Sequence, residues 1–81
     1  MPTILRQGPY RFYFFSHEPN EPPHMHVDRD TGTAKLWLQP VALARSSGFS
    51  AKELGEIQRI VRAQQANLLE AWHGYFGNQR G

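Results

Sequence analysis

The residues best placed to do chemistry in this 81-residue chain are two histidines one residue apart, in Pro22-Pro23-His24-Met25-His26-Val27. On an extended strand such a pair projects from one face, roughly 6.5–7 Å apart by the strand rise, and the two prolines stiffen the approach. Neutral imidazoles so placed can share a metal, or serve as base and acid near neutral pH. A metal needs a further ligand. Asp28 on the same face, or His17, Glu18 or Glu21 from the preceding loop, could supply one, but no spacing selects among them, and no metal or other cofactor is assigned. Without a metal, His24, His26 and Lys35 would be the catalytic groups and Arg11, Tyr13 and Trp37 the binding groups. Such a patch could hold a phosphodiester, polarise it and move protons, the logic of small ribonucleases. The structural alternative is that the histidines hydrogen-bond loop carbonyls and hold the proline-rich connection in place.

These side chains need a sheet to carry them. Residues 10–16 are almost entirely aromatic and contain no strong helix former, which predicts a strand. Residues 17–23 hold three prolines and predict an exposed connection. Strands follow at His24–Arg29 and 33–38, joined by Asp30-Thr31-Gly32, where Gly accepts positive φ and Asp can bond its own backbone. Alternation places Met25, Val27, Ala34, Leu36 and Leu38 in the core, with His24, His26, Asp28, Thr33, Lys35 and Trp37 on the other face. On the first strand both alternate sets are aromatic, so Tyr10/Phe12/Phe14 and Arg11/Tyr13/Phe15 are not separable by pattern. Val41–Ala44 reads as a short strand or a helical turn, broken by Ser46-Ser47-Gly48.

Ser50 followed by Glu53 is a capping box, and Phe49 before it can staple onto Leu54. Leu54, Ile57, Ile60, Val61, Leu68, Leu69, Trp72 and Phe76 then recur at helical steps, interrupted by Gln64 and Gln65. One long helix or two abutting ones would fit, with the bend at Gln64–Asn67. Lys52, Glu56 and Arg59 read as a solvated row, and His73 as exposed. The aromatics Trp37, Trp72, Tyr75 and Phe76 could stack on bases beside arginines, but in a domain this small they read as core. The expected fold is one α+β domain over residues 1–81, with strands and turns to about residue 44, helix over 50–76 and a frayed tail over 77–81. A small antiparallel sheet of three or four strands would have the C-terminal helix, bent or divided in two, packed on one face.

Composition narrows the class. With no cysteine, disulfide frameworks, thiolate zinc sites, iron–sulfur clusters and cysteine nucleophiles are excluded. No apolar run approaches the roughly 20 residues that span a bilayer, and the N-terminus lacks a signal peptide's apolar centre. A cytoplasmic protein without membrane contact is expected. Residues 1–40 balance four basic residues (Arg6, Arg11, Arg29, Lys35) against four acidic ones (Glu18, Glu21, Asp28, Asp30), so the net charge of +2 comes from the second half. That permits a nucleic-acid partner without arguing for one, and it leaves a homo-oligomer open.

Nearly the whole chain resembles the small bacterial family called domain of unknown function 4160. The resemblance rests on Met1-Pro2-Thr3-Ile4 with the Gly8–Phe15 aromatic strand, and on Glu21-Pro22-Pro23-His24-x-His26-Val27. It continues through Ala34-Lys35-x-Trp37-Leu38, Gly48-Phe49-Ser50, Glu53-Leu54 and Ile57, to Leu69, Trp72 and Tyr75-Phe76. Met25 stands where the family pattern has Ile, a volume-conserving exchange, and Gln64 where it has Asn. Such proteins look like the toxin halves of toxin–antitoxin modules, beside an antitoxin-like protein of the domain of unknown function 2442 type. The resemblance thus implies a toxin with an antitoxin-like protein as partner, and the spacing of His24 and His26 makes them the residues expected to carry its activity. The other readings are a protein-interaction module without catalysis and an enzyme using the histidine pair.

Overall fold

The computed structural model describes residues 3–15 and 21–76. Five strands, β1 (Thr3–Gln7), β2 (Tyr10–Tyr13), β3 (His24–Arg29), β4 (Gly32–Leu38) and β5 (Val41–Ser47), precede two helices, α1 (Ala51–Ala63) and α2 (Gln65–Phe76). The sheet is an antiparallel meander in the order β1-β2-β3-β4-β5. The α+β class holds, with five strands in place of three or four.

Both additional strands lie at the edges, where sequence signals are weakest. β1 has only Ile4 and Leu5 as apolar residues and turns into β2 through Gly8-Pro9. Gly8 takes φ +60° there, a conformation open to glycine without steric cost. β5 runs through Ser46 and Ser47, which pair with Ala34 and Thr33. Those serines end no strand, because a solvated edge needs no apolar residue on its outer positions. β2 stops at Tyr13, short of the expected residue 16; Ser16 lies outside the described residues.

The register assigns the faces. Phe12 pairs with Val27, Val27 with Ala34, and Met25 with Leu36, and all five are buried. Tyr10, Phe12 and Phe14 therefore join Leu38 on the helix side, closed over by Ile57, Val61, Leu68 and Trp72. Arg11, Tyr13 and Phe15 belong to the opposite face.

The β3–β4 turn departs from expectation in its details. The positive φ falls on Asp30, at 53°. Gly32 is needed for space: a Cβ there would lie 2.7 Å from the Phe49 ring. Phe49 thus packs on the hairpin and edge-on to Tyr10, at 6.1 Å, while Leu54 rests half-buried on the same core.

The capping box is present, with Ser50 Oγ accepting from Glu53 N–H and Glu53 accepting from Ser50 N–H. Backbone donation from Ser50 holds the Glu53 carboxyl below its usual range, helped by the Ser50 hydroxyl and Arg29. Glu56 leaves the row expected of it and accepts a hydrogen bond from Tyr10 Oη at 2.8 Å. Gln64 separates the helices. Its N–H reaches Ile60 O, its side chain accepts from Asn67, and the neighbouring Gln65 amide donates to Leu38 O at the end of β4. The polar interruption of the apolar stripe is thus where the helical segment is fastened to the sheet. The expected loop at residues 17–20 and the tail at 77–81 lie outside the described residues.

Candidate functional site

The face of the sheet turned away from α1 collects all six expected site residues, Arg11, Tyr13, His24, His26, Lys35 and Trp37. The pairings Tyr13↔His26, His26↔Lys35 and His24↔Trp37 lay them in adjacent rows across β2, β3 and β4, and Arg11↔Asp28 adds the next row. The two imidazoles stand side by side, with ring centroids 5.1 Å apart and planes near perpendicular. Period-two alternation on one strand produces this placement.

The pair is enclosed. His24 has no exposed surface and His26 is 7% exposed. The His24 ring lies 4.8 Å from Trp72 of α2 and edge-on to Trp37 at 5.8 Å. His24 Nδ1 is 2.9 Å from Pro22 O, so Nδ1–H donates to that carbonyl and, in the neutral ring, Nε2 is the basic nitrogen. His26 stacks on Tyr13 at 5.5 Å and meets Phe15 edge-on at 4.6 Å. A site open to a visiting molecule, which the sequence spacing invites, is not what these contacts make. Glu21–Pro23 just before β3 and Trp72 of α2 both pack against the pair, and neither contact can be read from alternation.

Lys35 is 6% exposed. Its ammonium lies 2.6 Å from Glu21 Oε1 and 4.7 Å from the Trp37 ring centroid. The same Glu21 oxygen is 3.7 Å from His24 Nδ1. With the Leu38 N–H donating to Pro23 O at 3.0 Å, Lys35, His24 and β4 together clasp the Glu21–Pro23 segment. This is the arrangement of the structural alternative, in which strand histidines fasten a proline turn.

A second polar cluster borders the first. Tyr13 Oη donates to Asp28 Oδ1 at 3.0 Å, and Arg11 approaches Asp28 Oδ2 at 3.4 Å while its guanidinium sits 4.6 Å above the Tyr13 ring. Burial pushes the Tyr13 phenol up to about 12, reinforced by the hydrogen bond to Asp28 and that group's negative charge. This phenol is held as a neutral donor and is unsuited to act as a base near pH 7.

Among the described residues no three His, Asp or Glu side chains converge as a metal site would require. His17 and Glu18, two of the four residues considered as third ligands, lie outside those residues. A concavity of about 330 Å³ lies elsewhere, between the Gly8-Pro9 turn and α1, and is lined by Tyr10, Glu56, Arg59 and Ile60. None of the six expected site residues borders it. The Glu21–Lys35 pair, the Asp28 cluster and the Trp72 contact to His24 were not predicted from sequence. The only advance signal was that buried cations and phenols need partners.

Fold and site together define a small α+β domain in which a five-stranded meander carries a divided helix on one face and a polar aromatic network on the other. A family model described as a domain of unknown function, DUF4160, matches residues 10–73, and the chain belongs to that family. No match was found among curated proteins or among solved structures.

Proposed function

We propose that this protein acts by binding a protein partner, as the toxin-like member of a two-component pair, and that its histidine pair shapes the molecule without performing acid–base chemistry. The observation that carries this reading is the enclosure of His24 and His26. A general acid or base must come within hydrogen-bond reach of the proton it moves. His24 instead donates to Pro22 O and lies against Trp72.

A partner has better access at the end of the sheet. β5 is an edge strand of seven residues, no sixth strand lies beyond it among the described residues, and Leu43 is 36% exposed. An extended segment of another protein can add to such an edge through main-chain hydrogen bonds. The resemblance supplies the occupant, an antitoxin-like protein. No helix of the described residues is long and apolar enough to cross a membrane, so a membrane is not invoked.

The test is expression in bacteria with and without the product of the adjacent gene. The protein alone is expected to arrest growth, and co-expression is expected to relieve the arrest and yield a complex that purifies together. His26→Gln should still arrest growth, whereas Leu43→Lys should lose the complex while keeping its thermal midpoint. Loss of arrest in a stably folded His26→Gln variant would show that the imidazole acts on a substrate, and a wild-type protein without effect on growth would remove the toxin reading.

A further inference from the structure

We infer that the concavity between the Gly8-Pro9 turn and α1 is a binding site for a free apolar α-amino acid, held by both of its charges. This inference is independent of the protein-partner reading, which concerns the β5 edge.

The volume of about 330 Å³ falls at the lower end of small-ligand sites, which run from about 300 to 1,000 Å³. Two opposite charges and an apolar wall meet there. Glu56 and Arg59 stand three residues apart on α1, so their Cβ atoms are neighbours at about 5–6 Å on one side of the helix. Opposite charges at that spacing ordinarily support each other. Here neither forms an ion pair with the other or with any other described residue. Glu56 is engaged from the sheet instead: Tyr10, only 2% exposed, donates its hydroxyl to Glu56 Oε1 at 2.8 Å. The second carboxylate oxygen, Oε2, accepts no hydrogen bond among the described residues. The exposed Arg59 guanidinium likewise has no described acceptor for its donors. Pro9 and the half-buried Ile60 line the same space, and the rim is open at Gly8, where even a Cβ would meet no other atom within 4 Å.

This charge pattern selects the occupant. A phosphate or other anion without a cationic group would face the Glu56 carboxylate, and an amine without an acid would face Arg59. A metal ion would find one carboxylate in the lining where a site needs at least three ligands. A neutral apolar molecule would desolvate both charges without compensation. An α-amino acid carries its ammonium and carboxylate on one carbon. The carboxylate can accept from Arg59, in the fork geometry that guanidinium favours, while the ammonium donates to Glu56 Oε2 and the side chain lies against Pro9 and Ile60. Because Tyr10 already fixes the Glu56 carboxylate, less side-chain freedom is lost on binding.

The test uses the full chain and L-leucine, followed by amide shifts in an NMR titration. Saturable shifts are expected at residues 7–10 and 56–60. N-acetyl-L-leucine, which lacks the ammonium, and L-leucinamide, which lacks the carboxylate, should each bind about tenfold or more weakly. Those two compounds also mimic the C- and N-terminus of a peptide, so they separate a free amino acid from a chain end. Arg59→Gln should weaken leucine binding about tenfold or more, and Glu56→Gln, whose amide oxygen can still accept from Tyr10, by a similar factor. Lys52→Gln, on the same helix but outside the concavity, should leave it unchanged. Thermal melts identify any variant that fails to fold, and the blocked ligands give a readout free of mutation. No saturable shift at up to about 10 mM leucine, ten times a millimolar dissociation constant, would overturn the proposal. Binding of either blocked form as tightly as leucine, or unchanged binding by folded Arg59→Gln and Glu56→Gln, would do the same.

Discussion

The two faces of the sheet are equally buried at their centres and are held by different physics. On the helix side Phe12, Met25, Val27, Leu36 and Leu38 have no exposed surface and no polar atom to satisfy. On the other side Tyr13, His24, His26 and Lys35 are almost as enclosed, yet no described buried side-chain nitrogen or oxygen lacks a partner. The comparison teaches that burial alone does not mark a core. The first face is specified by volume, the second by hydrogen bonds to Asp28, Glu21 and Pro22 O.

The most severe way to break that comparison is a cavity. Leu36→Ala removes buried methyl groups from the dry side and is expected to cost about 2–5 kcal/mol. Tyr13→Phe keeps the ring on the polar side and loses one hydrogen bond to a carboxylate that retains Arg11, for about 1 kcal/mol at neutral pH. Urea unfolding of the two variants measures both. Equal losses would mean that the two faces are not distinguished by volume.

The polar face should also respond to pH where the dry face cannot. The folded state holds the Tyr13 proton up to about pH 12, while an unfolded tyrosine releases it near 10. The stabilisation is therefore complete below pH 10 and is lost as pH rises toward 12. Two pKa units correspond to at most about 3 kcal/mol. Tyr10 is also raised, by burial and by Glu56, and contributes equally to wild type and variant. The stability advantage of wild type over Tyr13→Phe should therefore fall steadily from pH 10 to 12, reversing once the loss exceeds the ~1 kcal/mol of the hydrogen bond, as followed by thermal midpoints. A constant difference across that range would contradict the held proton.

How much of this was legible in the sequence follows from the same contrast. Strand β3 was read with its observed ends and β4 to within one residue, because alternation of Met25, Val27, Ala34, Leu36 and Leu38 reports a half-buried pleat directly. The capping box was read because Ser50 and Glu53 act on each other locally. Of the edge strands, β1 was not read and β5 only as a short strand or helical turn over Val41–Ala44, since their serines and short apolar runs carry little periodic demand. The placement of the histidines side by side was legible; their closure by Trp72 was not, because 48 residues separate Trp72 from His24. Charge shows the same limit. Residues 1–40 are neutral as a count, yet register sets Arg6 against Arg11 and Lys35 against Arg45, and it sends Arg29 toward Glu53 of α1.

The smallest expected effect is also the sharpest test of how the polar face is held. Lys35→Met keeps an unbranched apolar stem in the enclosed position and removes the ammonium. Glu21, whose side chain is 44% exposed, can turn its carboxylate to water, so no buried charge is stranded. Removing Lys35 also relieves its opposition to Arg45 across the strands. The expected change in stability is within about 1 kcal/mol, of either sign. Glu21→Gln should cost more, because it leaves the enclosed ammonium beside Trp37 without its counter-charge. Chemical denaturation of the two variants gives the order. If Lys35→Met were instead the worse of the two, by more than about 2 kcal/mol, the ion pair itself would be what fastens the Glu21–Pro23 segment to β4. His24 would then be a passenger in that clasp, no longer its centre.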